Sequence, residues 1–113
     1  MTLMIVDDNQ KMRAYISELI RNEGDTIIEC CDGEFALDLF TEHHPDWVLM
    51  DIKMEKVNGI EATRRIVNEF PEAKIIVLTS YDIPTYRKAA MEAGAASFFS
   101  KRNLLELKES IQK

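Results

Sequence analysis

Trp47-Val48-Leu49-Met50-Asp51-Ile52-Lys53-Met54 opens as an apolar run too short for anything but a buried strand, and an acid ends the run. It is bounded upstream by Pro45-Asp46 and downstream by the polar stretch from Lys53 to Gly59. That pattern fits a central strand of a parallel sheet covered on both faces. Asp51 then stands at the strand's carboxyl end, where open α/β sheets bind their ligands among loops. A single aspartate in such a place is ordinarily a turn cap, so its meaning depends on what the other strand ends carry.

Upstream, Thr2-Leu3-Met4-Ile5-Val6 is a second apolar run that stops abruptly at Asp7-Asp8-Asn9. Met12, Ile16, Leu19 and Ile20 follow at helical spacing, with Asp8 or Asn9 as N-cap and Gly24 past the C-terminus, which predicts a helix from Asn9 to Glu23. Thr26 to Cys30 is a short strand, and Asp32-Gly33 turns the chain into a helix with Phe35, Ala36, Leu39 and Phe40 on one face. Downstream of Asp51, Asn58 and Glu61 have the spacing of a capping box, and the helix they open ends before Pro71. Lys74 to Leu78 is the clearest strand and runs into Thr79-Ser80. A small-faced helix starts at Pro84 and stops before Gly94. Ser97-Phe98-Phe99-Ser100 is a last strand ending at Lys101, and Asn103 with Glu106 reads as a capping box for a final helix. Strands and helices alternate throughout, which predicts a doubly wound five-stranded parallel sheet of order 2-1-3-4-5 with five helices on its two faces.

At 113 residues the chain is a single domain, 1–113, with 46% apolar residues to build its core. Its apolar stretches are strand-sized, so neither a membrane span nor a secretory leader is visible and a cytoplasmic location is expected. Cys30 and Cys31 are adjacent and have no third cysteine to pair with; they read as buried strand-end residues in a reducing compartment. A net charge of −6, from 20 acids and 14 bases, is the wrong sign for direct nucleic-acid binding. His43 and His44 lack partners at metal-ligand spacing.

In the predicted strand order the first and third strands are neighbours, so Asp7 and Asp8 meet Asp51. Three carboxylates in one cleft either raise a pKa or recruit a cation, and hard oxygen ligands suit Mg²⁺, with the Lys53 backbone carbonyl available as a further oxygen. Lys101 and the Thr79 hydroxyl lie at the ends of the fifth and fourth strands, where they supply a positive charge and a donor for an incoming phosphoryl group. A carboxylate can itself be the nucleophile, giving an acyl phosphate. Singly, each of these residues is ordinary at a strand end; together, at matching ends of four strands, they favour a functional site.

Over essentially its whole length the chain resembles the receiver domains of two-component response regulators. The matching residues are Ile5-Val6-Asp7-Asp8-Asn9, Leu49-Met50-Asp51-Ile52-Lys53-Met54, Asn58-Gly59, Val77-Leu78-Thr79-Ser80, Ala93-Gly94-Ala95 and Phe98-Phe99-Ser100-Lys101. The resemblance implies that Asp51 is the phosphoacceptor, Asp7 and Asp8 the acids of the Mg²⁺ site, Thr79 the switch hydroxyl, Lys101 the phosphate-pairing lysine and Phe98 the switch aromatic. It implies a histidine kinase or phosphorelay phosphohistidine protein as donor, and homodimerisation or partner docking through the fourth helix, fifth strand and fifth helix. It implies a phosphoacceptor switch that assists its own chemistry rather than an enzyme, as the N-terminal part of a longer transcription regulator or, alternatively, as a stand-alone receiver. Two positions depart from the family's usual pattern: Glu55 and Arg102 stand where proline is common. A cis bond before Arg102 would cost roughly 3 kcal/mol, so a trans bond or a strained loop is expected. An aspartate-dependent phosphatase would need a second aspartate where Lys53 stands, and a flavin-binding loop would be repelled by Asp7 and Asp8. A receiver that binds partners without phosphotransfer would not need all the reactive residues that are present.

Overall fold

The computed structural model describes residues 1–81 and 83–112. Five parallel strands, β1 (Thr2–Val6), β2 (Thr26–Cys30), β3 (Trp47–Met50), β4 (Ile75–Thr79) and β5 (Ser97–Ser100), form one sheet in the order β2-β1-β3-β4-β5. This is the predicted doubly wound, flavodoxin-like arrangement. The helices are α1 (Gln10–Ile20), α2 (Ala36–His43), α3 (Gly59–Glu69), α4 (Pro84–Glu92) and α5 (Leu104–Ile111). β3 and β4 are central strands whose apolar runs are buried, as a sheet covered on both faces requires.

Alternate residues of each strand feed opposite cores. On one face Leu3, Ile5, Leu49, Ile76 and Leu78 pack with Ile16 and Ile20 of α1 and Leu104, Leu107 and Ile111 of α5. On the other, Met4, Val6, Val48, Met50 and Ile75 pack with Ala36 and Phe40 of α2 and Ala62 and Ile66 of α3. A smaller cluster of Ile52, Val77, Ala95 and Phe98 is covered by Ala90 of α4. No helix among the described residues is long and apolar enough to cross a membrane.

The structure corrects several local expectations. α1 ends at Ile20 rather than Glu23, because Arg21 leaves the helix in an extended conformation and its N–H bonds back to the Ser17 carbonyl. The next residues turn on Asp25, whose side chain accepts from the Asn22 N–H, so the local turn outcompetes another helical turn. Phe35 lies in a 3₁₀ turn, Gly33–Phe35, ahead of α2 and is exposed instead of sharing the helix's apolar face. Cys30 is buried, but Cys31 is exposed just past the strand. Asn103 stands before α5 without a side-chain capping bond, whereas the Asn58 side chain caps α3 by accepting from the Glu61 N–H. Every peptide bond among the described residues is trans, Lys101–Arg102 included.

Thr63 of α3 is wholly buried, and its hydroxyl has no hydrogen-bond partner. An unpaired buried hydroxyl costs about 1–3 kcal/mol, while valine has the same shape without the polar atom. Thr63→Val is expected to stabilise the domain by about 1 kcal/mol, measured as a higher urea midpoint at unchanged m-value.

Candidate functional site

At the carboxyl edge of the sheet the polar side chains sit on or next to the last rungs of the strand ladder. The Asp7 N–H bonds to the Cys30 carbonyl, the Asp51 N–H to the Val6 carbonyl and the Lys101 N–H to the Thr79 carbonyl. Backbone and side chain are thereby fixed together. Gly59 follows this design: a Cβ there would lie 1.8 Å from the Asp51 carbonyl oxygen, so only glycine lets α3 begin against the strand end.

Lys101 is the centre of the charge arrangement. Its Nζ donates to Asp7 Oδ2 at 2.8 Å and lies 3.2 Å from Asp51 Oδ1, with the three side chains 13%, 2% and 10% exposed. The other oxygen of Asp7 accepts from the Asn9 N–H at 2.9 Å, and Asn9 caps α1 through the Met12 N–H. Arg13 reaches back from α1 to donate to the Asp7 carbonyl at 2.7 Å while its Nε pairs with Glu29 of β2. Asp8 is exposed at the rim. Asp7, Asp8 and Asp51 each offer an oxygen, all within 4.8 Å of one another. A hard divalent cation with ligands on opposite sides spans about 4–5 Å, so the three carboxylates fit one Mg²⁺-sized ion.

Burial pushes the Asp51 carboxyl up to about 6; Lys101 works against that rise and the neighbouring charge of Asp7 adds to it. Burial pulls the Lys101 ammonium down, but its hydrogen bond to Asp7 and the charges of Asp51 and Asp7 outweigh it, so the net change is upward. One ammonium thus serves two carboxylates, and Asp51 keeps a charge that a cation would stabilise further.

Thr79 is 1% exposed, and its hydroxyl oxygen accepts from the Tyr81 N–H at 3.1 Å, which ties it to the start of the loop before α4. In the β4–β5 register Thr79 stands opposite Ser100 and Val77 opposite Phe98. Phe98 is buried, with the Arg87 guanidinium 4.7 Å from its ring centroid. The expected residues Asp7, Asp8, Asp51, Thr79 and Lys101 therefore all come to one edge, and Phe98 lies deeper in the same sheet.

Two contacts had no signal in the residue pattern. The Lys53 ammonium lies 4.4 Å from the Tyr81 ring centroid, bridging the loops after β3 and β4. Asp32, which the pattern marks only as a turn residue, is 5% exposed and accepts from the N–H groups of Glu34, Lys56 and Val57.

Residues 3–112 match the family model of the response regulator receiver domain. The chain is 35% identical over 101 residues to the transcriptional regulatory protein DegU of Brevibacillus brevis, covering 88% of this chain and 43% of that protein. It is 30% identical over 112 residues to the sporulation initiation phosphotransferase F of Bacillus subtilis, covering 98% of this chain and 90% of that one. The crystal structure of a LuxR-family two-component response regulator from Aurantimonas sp. SI85-9A1 superposes with a TM-score of 0.89 at 32% identity, over 98% of this chain and 81% of the other. The chain spans about half the length of several curated relatives that it matches, among them the transcriptional regulatory proteins DegU, LiaR and YhcZ. Fold, matched residues and relatives agree, and the chain belongs to the receiver domain family of two-component response regulators.

Proposed function

We propose that Asp51 accepts a phosphoryl group from the phosphohistidine of a histidine kinase or phosphorelay protein, and that the acyl phosphate switches the conformation of the domain. The observation that carries this is the placement of Lys101 between Asp7 and Asp51, with Asp8 within 4.8 Å of both acids. An Asp51 oxygen attacks phosphorus as the bond to the histidine nitrogen breaks, the nitrogen keeping the electron pair. Lys101 pairs with a phosphoryl oxygen, and Asp7, Asp8, Asp51 and the Lys53 carbonyl are the groups that would hold Mg²⁺, which when bound would supply positive charge against the phosphoryl oxygens. The chain's own part is positioning and charge, as in other phosphoryl transfers. On this reading the domain assists its own phosphorylation and dephosphorylation and has no separate substrate.

Incubation with a small phosphodonor and Mg²⁺, followed by intact mass, tests this. Wild type should gain one phosphoryl group and Asp51→Asn none; addition that survives the substitution would refute the acceptor assignment.

Thr79 is the switch hydroxyl: on phosphorylation it exchanges its bond from the Tyr81 N–H for one to a phosphoryl oxygen, and Phe98 and Arg87 re-pack in response. Thr79→Ala should still accept phosphate while losing the response of α4 and β5. Amide exchange of those elements should then be the same in its phosphorylated and free forms. A wild-type-like difference between the two forms would remove Thr79 from the switch.

The unit 1–113 is one receiver domain in the cytoplasm, without direct contact to nucleic acid, and α4, β5 and α5 form its homodimer or partner surface. The 43% coverage of a transcriptional regulator supports an output domain beyond it, and the 90% coverage of a sporulation phosphotransferase supports a stand-alone receiver as the alternative.

A further inference from the structure

Asp32 forms more hydrogen bonds than a cap needs. One bond, from the Glu34 N–H at 2.9 Å, suffices to start the 3₁₀ turn. The other two come from the Lys56 and Val57 N–H groups, both at 2.9 Å, in the loop that follows Asp51. That loop has no helix or strand of its own between β3 and α3, so its backbone groups depend on partners from elsewhere. Gly33 presses on it from the main-chain side: a Cβ there would lie 2.4 Å from the Val57 carbonyl oxygen. Asp32 and Gly33 together clasp residues 56 and 57, close behind Lys53 and Asp51. Asp8 lines the same cleft as Asp32, Glu55 and Lys56, so the clasp borders the acidic cluster on its open side. Burial works to raise the Asp32 carboxyl, but the N–H groups that bond it hold it below the ordinary range, so it stays an anionic acceptor.

We propose that Asp32 is a positioning residue for the cation site: by gripping the Lys56 and Val57 N–H groups it fixes the Lys53 carbonyl relative to Asp51 and Asp8, and so sets the Mg²⁺ affinity. This rests on the receiver reading given above. Asp32→Asn keeps the size of the side chain but turns an amide donor toward a loop N–H, so one of the long-range bonds is lost.

The dissociation constant for Mg²⁺, measured by calorimetry on the unphosphorylated protein, should rise about tenfold, the usual scale for groups that orient metal ligands. Amide exchange at Lys56 and Val57 should accelerate. Phosphorylation of Asp51 by a small phosphodonor should keep its maximal rate at saturating Mg²⁺, with the half-saturating Mg²⁺ concentration raised by the same factor. Gly33→Ala, which displaces the same loop while leaving Asp32 intact, should act in the same direction and carries the test if Asp32→Asn does not fold. Mg²⁺ affinity within twofold of wild type, despite faster exchange at Lys56 and Val57, would overturn the positioning role. Wild type that neither binds Mg²⁺ nor becomes phosphorylated at Asp51 would instead overturn the receiver reading, and this inference with it.

Discussion

Asp51→Asn is expected to stabilise the metal-free domain by roughly 3 kcal/mol at pH 7.5, which is about 10 °C in Tm for a domain of this size. The Asp51 side chain is 10% exposed, and its carboxyl is pushed from 3.8 to about 6 because burial disfavours its charge more than Lys101 supports it. Above about pH 6 both folded and unfolded states carry that charge, and only the folded state carries it out of water, so the whole penalty is present. As pH falls through 6 the folded state takes up a proton before the unfolded state does, and the penalty shrinks. Below about 3.8 both states are protonated and it is gone. The advantage of asparagine over wild type should therefore fade between pH 6 and pH 4. A gain that is the same at pH 4 and pH 7.5 would assign the stabilisation to something other than charge burial. Saturating Mg²⁺ should raise the wild-type midpoint and narrow the gap, because a cation removes the same penalty.

Lys101→Met should have the opposite sign. It removes the one ammonium shared by Asp7 and Asp51 and leaves two buried carboxylates facing each other. Breaking a buried pair in this way costs about 3–5 kcal/mol, well beyond the fraction of a kcal/mol typical of a surface lysine. Urea unfolding at pH 7.5 without Mg²⁺ should show that loss, and Mg²⁺ should restore part of it by replacing the missing positive charge. The double variant with Asp51→Asn should be more stable than the sum of the single effects predicts, since the second substitution removes one of the charges stranded by the first. Strict additivity would mean that the two side chains do not share an electrostatic balance.

The sheet order and most of the site were legible in the sequence for one reason: each apolar run stops at a residue of different chemistry. In a parallel sheet all those stops fall on one edge, so Val6-Asp7, Met50-Asp51, Leu78-Thr79 and Ser100-Lys101 converge without further information. What the sequence conceals is where side chains bond to distant backbone. Asp32 reads as a turn residue because two of its three partners lie 24 and 25 residues away. The end of α1 was obscured for a related reason: Gly24 is the obvious stop, yet Asp25 supplies a competing turn before it. Cys31 and Phe35 were misplaced because apolar character alone does not say whether a loop residue faces the core or solvent. Lys53 and Tyr81 meet only because two loops rise side by side above the sheet.

The two larger cores of the sheet draw on different lengths of chain. Every buried residue in the core under α2 and α3 lies between Met4 and Ile75. The core under α1 and α5 joins Leu3 and Ile5 to Leu104, Leu107 and Ile111, almost the full span of the sequence. As the chain leaves the ribosome, the core under α2 and α3 has all its buried members once β4 has begun to emerge, whereas the core under α1 and α5 stays open until α5 is out. Synthesis thus imposes an order on folding, with α1 holding an uncovered apolar flank until α5 arrives to close it.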